Sequence, residues 1–183
     1  MQAELSTTGP IPTFPPVLAR ALALLPLAPL SASLTVFARI IARGHPGLFQ
    51  RLGEHAHDRF ALDPTDLPFV ILLEPAGGRP RVRVTRRGGS ADARIAGPMA
   101  ALLGLVHGAY DGDALFFSRD LVIEGDTGAA LALRNAVDDA ELDLAGEIRR
   151  FAGPFAGPLQ RLIGLVEQRT HVALSRPPEE EIW

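Results

Sequence analysis

The sequence predicts an α/β (α+β) domain in which helices pack on a mostly antiparallel sheet. Apolar residues recur at helical spacing in the first third of the chain and again in the last third. In the middle they run continuously or alternate with charged residues, which is the pattern of strands. The length of 183 residues suits one domain with its own core, and no internal repeat or linker divides the chain.

The N-terminal region is predicted to be helical after a disordered start over residues 1–13, which are polar and then rich in proline. The first helix is expected over 17–25 and ends at Pro26. The second is expected to run from an N-cap at Ser31 to Gly44. A third helix, opened by Pro46, carries four apolar residues on one face: Phe49, Leu52, Ala56 and Phe60.

The uncharged segment between Arg20 and Arg39 raises the question of a membrane. It is just long enough for a helix to span about 30 Å of hydrocarbon, but Pro26 and Pro29 would break that helix. Two apolar helices that touch a membrane surface, or that form plain helical core, fit the segment better than a transmembrane span. Membrane contact is expected at four leucines: Leu22, Leu25, Leu27 and Leu30.

The N-terminus predicts a cytoplasmic protein, which a membrane contact would make peripheral on the inner membrane. No basic region precedes an apolar core, so a secretory signal is not expected. The chain has no cysteine, which fits a reducing compartment and excludes disulfides, thiolate nucleophiles and cysteine-ligated metal. All eighteen basic residues are arginine, so Schiff-base chemistry and a phosphate-binding P-loop are excluded as well.

Three strands are predicted in the middle of the chain. Residues 69–73 are continuously apolar, as expected for a strand covered on both faces. Residues 81–84 alternate arginine with valine, and residues 91–95 alternate apolar with charged residues. Short glycine turns separate the three strands, which predicts an antiparallel meander.

The second half of the chain returns to helices around one strand. A helix is predicted over 97–108, then an aromatic turn, a strand over 121–124 and a helix over 126–137. Asp126 is the expected N-cap, because its carboxylate can accept backbone N–H bonds at the positive helix end. A last amphipathic helix is expected over 154–173.

Catalytic groups are sparse. Carboxylates can act in general acid–base catalysis, and four lie close together in the sequence: Glu124, Asp126, Asp138 and Asp139. Each has a simpler role at a strand end, a helix N-cap or a helix end. Ser118 follows Phe117 without the glycine-flanked elbow of a nucleophilic serine. We therefore expect that the protein is not an enzyme.

The histidines do not predict a metal site. The chain has five: His45, His55, His57, His107 and His171. His55 and His57 form an H-x-H with Asp58 beside it, but positions i and i+2 of a helix point apart and suit one ion poorly. Surface or core histidines are expected instead, and no metal or other cofactor.

Charge is unevenly distributed. Six arginines fall over 79–94 against one acid, whereas ten acids fall over 111–147 against two arginines. A basic hairpin can hold anionic lipid headgroups or an acidic partner, or it can be a solvated sheet face. Nucleic acid binding is not expected, because the hairpin lacks interleaved aromatic residues and the net charge is −3.

Nine apolar residues can line a lipid pocket beneath the sheet. They are Met99, Leu102, Leu103, Val106, Leu115, Phe116, Phe117, Leu121 and Ile123. The alternative is that these residues form an ordinary core.

A stretch of the second half resembles the sterol carrier protein 2 (SCP2, sterol-binding domain) family. The matching residues are the strand ADARIAGP, the helix MAALLGLVHG and the segment ALFFSRDLVIEGDTGAALAL, within a resemblance over roughly 65–140. The E-G-D at 124–126 after L-V-I is the most specific part. The resemblance implies a twisted, mostly antiparallel sheet with helices packed on it and an apolar tunnel for lipid.

Within that family, two segments resemble bacterial accessory factors of ubiquinone biosynthesis: FFSRDLVIEGDTGAALALRNAVDDAELDL and the proline-rich FPPVLARALALLPLAPL. This subgroup implies non-catalytic binding of isoprenoid quinone intermediates or membrane phospholipid in oxygen-independent ubiquinone synthesis. The implied partners are a pair of peptidase-like iron–sulfur hydroxylases and other ubiquinone-pathway enzymes. The resulting division is a helical extension over 14–62, a lipid-binding domain over 63–175 and a loose tail over 176–183.

Two alternatives stay open at this point. The first is a carrier of the same fold for fatty acyl chains or phospholipid in general. The second is an enzyme that acts on lipid through Glu124, Asp126 and Asp139.

Overall fold

Five strands form one sheet in the computed structural model, which describes residues 13–24, 26–86, 88–107 and 121–140. The strands are β1 (Phe60–Pro64), β2 (Val70–Glu74), β3 (Arg81–Thr85), β4 (Ala93–Gly97) and β5 (Val122–Gly125). Their order in the sheet is β3-β2-β1-β4-β5. Neighbouring strands are antiparallel except β1 and β4, which run parallel, so the predicted α/β fold with a mostly antiparallel sheet is confirmed.

The described α-helices are α1 (Pro16–Leu22), α2 (Leu27–Gly44), α3 (Pro46–Gln50), α4 (Met99–His107) and α5 (Thr127–Asp138). The first two are separate helices on either side of Pro26, as the prolines predict. Within the described ranges, none of the helices combines the length and apolar character that crossing a membrane requires.

One face of the sheet is covered by helices. Alternation along the strands places Phe60, Ile95 and Ile123 on this face, where they meet apolar residues of α3, α4 and α5. Phe60 and Ile95 are fully buried there. Burying one such side chain stabilises the fold by about 1.5–3 kcal/mol, so this helix-covered face holds the main core.

The opposite face is covered in part by a loop. Its small apolar cluster consists of Ala61, Val70 and Leu72, with Ala91 packed against it. The connection from β3 to β4 crosses this face, since a β-carbon on Gly89 would lie 2.6 Å from a methyl group of Leu72. Glycine at this position therefore lets the backbone approach the sheet closely. We call this the loop-covered face.

The third predicted helix is wrong in its second half. α3 ends at Gln50, and a 3₁₀ helix follows at Gly53–His57. Phe60, predicted on the apolar face of that helix, lies in β1 opposite Leu73 of β2 and Ala93 of β4. Its burial comes from pairing with two distant strands, which its own neighbours in the sequence do not reveal.

The predicted meander is right for β2 and β3 but wrong for β4. β4 pairs in parallel with β1 and antiparallel with β5, and it does not follow β3 in the sheet. The reason is that β1 occupies the central position between β2 and β4. The predicted domain boundary between residues 62 and 63 falls inside β1, and the division into domains remains a prediction.

Ser31 is not a helix N-cap. α2 begins at Leu27, directly after Pro26, and Ser31 lies one turn inside it with its hydroxyl donating to the carbonyl oxygen of Leu27 at 2.8 Å. Proline is compatible with the first turn of a helix, where its missing N–H has no intrahelical partner. The helix can therefore start earlier than a search for a polar cap suggests.

Several predicted features lie outside the described residues. They are the disordered start over 1–12, the aromatic turn at 115–117, the C-terminal helix over 154–173 and the loose tail over 176–183.

Candidate lipid-binding site

The predicted pocket residues that the structure describes lie on the helix-covered side of the sheet. Leu102 of α4 and Leu121 are buried in the main core, and Ile123 of β5 packs against the same cluster. The structure thus brings these three together, although they come from a helix and a strand that are separated in the sequence. Their close packing makes them the floor of any pocket rather than its open wall.

Met99 and Leu103 are half-buried on α4, one turn apart. Like Ile123, they keep partial exposure, but they are not packed into the main core cluster, so they are placed to line an opening. Val106 belongs to the last turn of α4, and its side chain lies outside the described residues, as do Leu115, Phe116 and Phe117. The pocket as a whole therefore stays a prediction.

Asp66 ties the N-terminal segment to this region. One of its carboxylate oxygens accepts the backbone N–H of Met99 at 2.9 Å, at the start of α4. The other accepts the backbone N–H of Phe14 at 2.8 Å, just before α1. A charged acceptor shared by two backbone donors holds the residues just before α1 near the start of the helix that is predicted to line the pocket. Sequence reasoning missed Asp66, because both partners are distant in the chain.

The leucines predicted to contact a membrane are only partly exposed. Leu22, Leu27 and Leu30 are half-buried, and Leu25 lies outside the described residues. Among the described side chains of this region, the large apolar residues with the greatest exposure are Leu24, which is 87% exposed between α1 and α2, and Val36, which is 48% exposed on α2.

The helix α2 runs along the β3 edge of the sheet. In β3, the backbone N–H groups of Val82 and Val84 donate to the side-chain hydroxyls of Thr35 and Ser31, at 3.0 and 2.9 Å. These hydroxyls satisfy backbone donors that no further strand pairs with. An edge strand is thereby protected against pairing with another chain.

A groove lies between α2 and the loop-covered face. It has a volume of about 430 Å³, with Ala32 and Val36 of α2 on one side and Leu72 in its floor. A second concave surface of about 410 Å³ adjoins it and shares Arg39 with it. Five exposed arginines line the two, and we call this surface the arginine groove: Arg39, Arg43, Arg79, Arg81 and Arg83.

The arginines of this groove form no ion pair with a described carboxylate, although Glu74 lies opposite Arg81 in the sheet. Among the residues that the structure describes, no carboxylate is within ion-pair distance of Arg43, Arg79, Arg81 or Arg83. The groove does contain Glu74, but its carboxylate pairs with Arg59, outside the groove, at 3.1 Å. The sequence predicted the hairpin arginines; it gave no sign that two arginines of α2 join them.

The carboxylates considered for catalysis each have a structural contact. Glu124 pairs with Arg94 at 3.3 Å, and Asp139 forms an ion pair with Arg51. Asp126 is the N-cap of α5, as predicted, and accepts the backbone N–H of Ala129 at 3.0 Å. This hydrogen bond is the main reason that the pKa of Asp126 is lowered.

One histidine lies between two carboxylates. His55 Nδ1 is 2.7 Å from Asp58 Oδ2, and this hydrogen bond raises the pKa of His55. Ligand atoms of His55, Asp58 and Asp126 all lie within 4.8 Å of one another. A cation fits poorly here, since Asp126 is already engaged at the positive end of α5. The arrangement serves instead to connect the 3₁₀ helix Gly53–His57 with the start of α5.

Comparison with known proteins gives the class first. The model of the SCP-2 sterol transfer family matches residues 37–138, which is more than half of the chain and spans α2 to α5. The fold described above is the α/β fold of sterol carrier proteins. The chain belongs to the SCP-2 sterol transfer family.

Of two similar solved structures, the first supports the fold. A protein described as "UbiJ-SCP2 Ubiquinone synthesis protein" is 19% identical, with a TM-score of 0.52, over 64% of this chain and 96% of that one. The apo form of sterol carrier protein 2 from Yarrowia lipolytica is 16% identical, with a TM-score of 0.44, over 61% of this chain and 92% of that one. At these identities the likeness concerns the fold alone. No curated protein sequence matches the chain.

Proposed function

We propose that this protein is a non-catalytic lipid-binding accessory factor of oxygen-independent ubiquinone biosynthesis. It holds an isoprenoid quinone intermediate, or a membrane phospholipid, in an apolar pocket. The observation that carries the lipid-binding part is membership of the SCP-2 sterol transfer family over residues 37–138. The quinone part is supported by the resemblance of the N-terminal and E-G-D segments to the bacterial ubiquinone biosynthesis accessory factor UbiT.

The mechanism we propose is sequestration. The polyprenyl tail lies beneath the sheet against Leu102, Leu121 and Ile123, and the aromatic head stays at the opening near Met99 and Leu103. Removing apolar surface from water yields about 25 cal/mol per Å², so a long tail is held without any polar contact. This requires neither a nucleophile nor a metal, which fits the structural roles of the carboxylates described above.

The head group is exposed so that partner enzymes can modify it. The partners proposed are peptidase-like iron–sulfur hydroxylases and other enzymes of the ubiquinone pathway, acting at the cytoplasmic side of the inner membrane. Peripheral membrane contact is proposed through Leu22, Leu25, Leu27 and Leu30. The exposure of Leu24 within the same segment supports this placement.

The test is identification of the bound lipid by native mass spectrometry and organic extraction, on protein purified from a quinone-producing bacterium. We expect a stoichiometric polyprenyl phenol or quinone. Phospholipid in its place would favour the general phospholipid carrier, and a protein that stays empty when offered quinone would contradict the pocket.

A pair of variants locates the pocket. Leu103→Glu introduces a charge into the proposed opening, so the amount of co-purified lipid is expected to fall at least tenfold while the fold persists. Leu131→Glu is the matched control, because Leu131 lies on α5 and is 50% exposed. Equal lipid content in both variants would show that the pocket does not lie at α4.

The enzyme alternative has its own test. Replacing Glu124, Asp126 and Asp139 by amides is expected to leave lipid binding and its support of quinone synthesis intact. A complete loss of that support, with lipid binding retained, would favour a carboxylate-dependent reaction.

A further inference from the structure

We propose that the arginine groove is the surface by which the protein docks onto membranes that contain anionic phospholipid, with headgroup phosphates bound between α2 and β3. The docking surface gives a chemical basis for the membrane contact in the proposed function. It rests on that function, which explains why the protein would bind a membrane. The charged and apolar residues of the groove determine which ligand it recognises.

The first observation is the charge of the surface. Arg39 and Arg43 lie one turn apart on α2, and Arg81 and Arg83 point from β3 into the same groove. Arg39, Arg81 and Arg83 line one concave surface and Arg43 lines the adjoining one, so these like charges repel each other. No described carboxylate pairs with Arg43, Arg81 or Arg83. An anionic ligand removes this repulsion, and the guanidinium fork matches phosphate in two parallel hydrogen bonds.

The second observation is the order of residues along α2. Ala32, Val36, Arg39 and Arg43 follow one another at helical spacing and are all exposed. The exposed side of α2 next to the groove is therefore apolar in its N-terminal half and basic in its C-terminal half. Apolar residues that enter the acyl boundary beside arginines that meet the headgroups are typical of interfacial helices. An acidic protein partner would use the arginines but leave Val36 and Leu24 unexplained.

The third observation is where the groove lies. By the register of β2 and β3, Arg83 shares the loop-covered face with Leu72, opposite the face that α4 and α5 cover. A membrane docked on the groove leaves these two helices accessible. The protein can then remain on the membrane while a partner enzyme reaches the predicted pocket.

The contacts of α2 with β3 exclude the addition of a partner strand at this edge of the sheet. Thr35 and Ser31 already accept the outward N–H groups of Val82 and Val84. A partner strand therefore cannot extend the sheet without displacing α2, which leaves the side chains of the groove as the recognition elements.

The experiment is flotation of the full chain with phosphatidylcholine vesicles, with and without phosphatidylglycerol. The test variant is Arg43→Gln/Arg81→Gln/Arg83→Gln. The control is Arg51→Gln/Arg94→Gln/Arg134→Gln, which removes the same charge at arginines that are paired with carboxylates outside the groove. Circular dichroism verifies that both fold.

We expect wild type and control to float with the phosphatidylglycerol vesicles only, and less so at high salt. Each arginine near an anionic surface is worth roughly 1 kcal/mol, so the test variant should bind about 100-fold more weakly. Equal binding to both vesicle types, or none to either, overturns the proposal. So does equal weakening of test and control variants, because net charge alone would then explain the effect.

Two further outcomes separate related hypotheses. Polyglutamate could bind the wild type more tightly than anionic vesicles do and fail to bind the test variant. In that case the groove would recognise an acidic protein partner and not a membrane. Quinone content measured on the test variant should match the wild type. If no protein carries quinone but vesicle binding follows the groove arginines, the proposed function fails and the docking surface stands.

Discussion

The helix-covered side of the sheet and the β3 edge of the loop-covered face differ in how their charged groups are arranged. On the helix-covered side, the strands contribute a continuous apolar core, and the ionic groups around it are paired, as with Arg51 and Asp139. At the β3 edge of the loop-covered face, a small apolar cluster adjoins a groove whose arginines form no ion pair with a described carboxylate. A fold gains nothing from a cluster of like charges, so the difference indicates that the groove serves binding rather than stability.

The largest expected effect concerns the two apolar clusters. Phe60→Ala removes a fully buried ring from the main core and should lower the free energy of unfolding by about 3–5 kcal/mol. Leu72→Ala in the smaller cluster should cost clearly less, about 2 kcal/mol, because the loop above it can settle into the space. Urea unfolding measures both. A greater loss for Leu72→Ala would mean that the loop-covered face holds the fold together.

A smaller effect is expected where α2 protects the edge of the sheet. Thr35→Val keeps the shape of the side chain but leaves the N–H of Val82 without its acceptor, at a cost of about 1–3 kcal/mol. Ser33→Ala, on the exposed side of the same helix, is the control and should change stability little. The measurement is again urea unfolding, together with light scattering for edge-to-edge association. Equal stability of the two variants would show that water replaces the hydroxyl.

The charges themselves should have the smallest effect on stability. Arg81→Gln/Arg83→Gln relieves repulsion in the groove and should raise the free energy of unfolding by a few tenths of a kcal/mol. Arg51→Gln removes an exposed ion pair and should lower it by about 0.2–1 kcal/mol. Thermal unfolding at low salt compares them. The comparison between the faces fails if neutralising the groove destabilises the protein as much as breaking the pair.

One titration distinguishes the helix-covered side further. The carboxylate of Asp58 raises the pKa of His55 above 6.5, so the protonated imidazole stabilises the folded state. That stabilisation is complete below pH 6.5 and is lost as the pH rises through the raised pKa. His55→Gln should therefore flatten the decline of stability above pH 6.5. A decline unchanged in His55→Gln would assign it to another group.

Much of the local structure could be predicted from the sequence. The break at Pro26, the helix cap at Asp126 and the β2–β3 hairpin all follow from interactions within a few residues. The family resemblance, which rests on the E-G-D segment, agrees with the match over residues 37–138. The structure explains this glycine: Gly125 has a φ of +82°, and a β-carbon there would lie 2.3 Å from the carbonyl oxygen of Asp92.

The candidate site was predictable only in part. The apolar spacing on α4 identified Leu102 as inward-facing, but could not separate core from pocket wall. The basic hairpin could be predicted from its run of arginines. The contribution of Arg39 and Arg43 to the same groove could not, because their positions are typical of the polar face of an amphipathic helix. Asp66 gave no signal at all, because a carboxylate that caps a distant helix looks like any loop acid.

By itself, the sequence determined the break at Pro26, the cap at Asp126 and the β2–β3 hairpin, because these depend on proline, caps and alternation within a few residues. It also determined the class of protein. Only the tertiary structure decided that β1 occupies the centre of the sheet, that β4 pairs away from β3, and that α2 covers the open edge. These pairings join segments far apart in the chain, and they are selected by burial of apolar faces and satisfaction of backbone hydrogen bonds across the whole molecule. The arginine groove exists for the same reason, since it forms only when α2 and β3 meet.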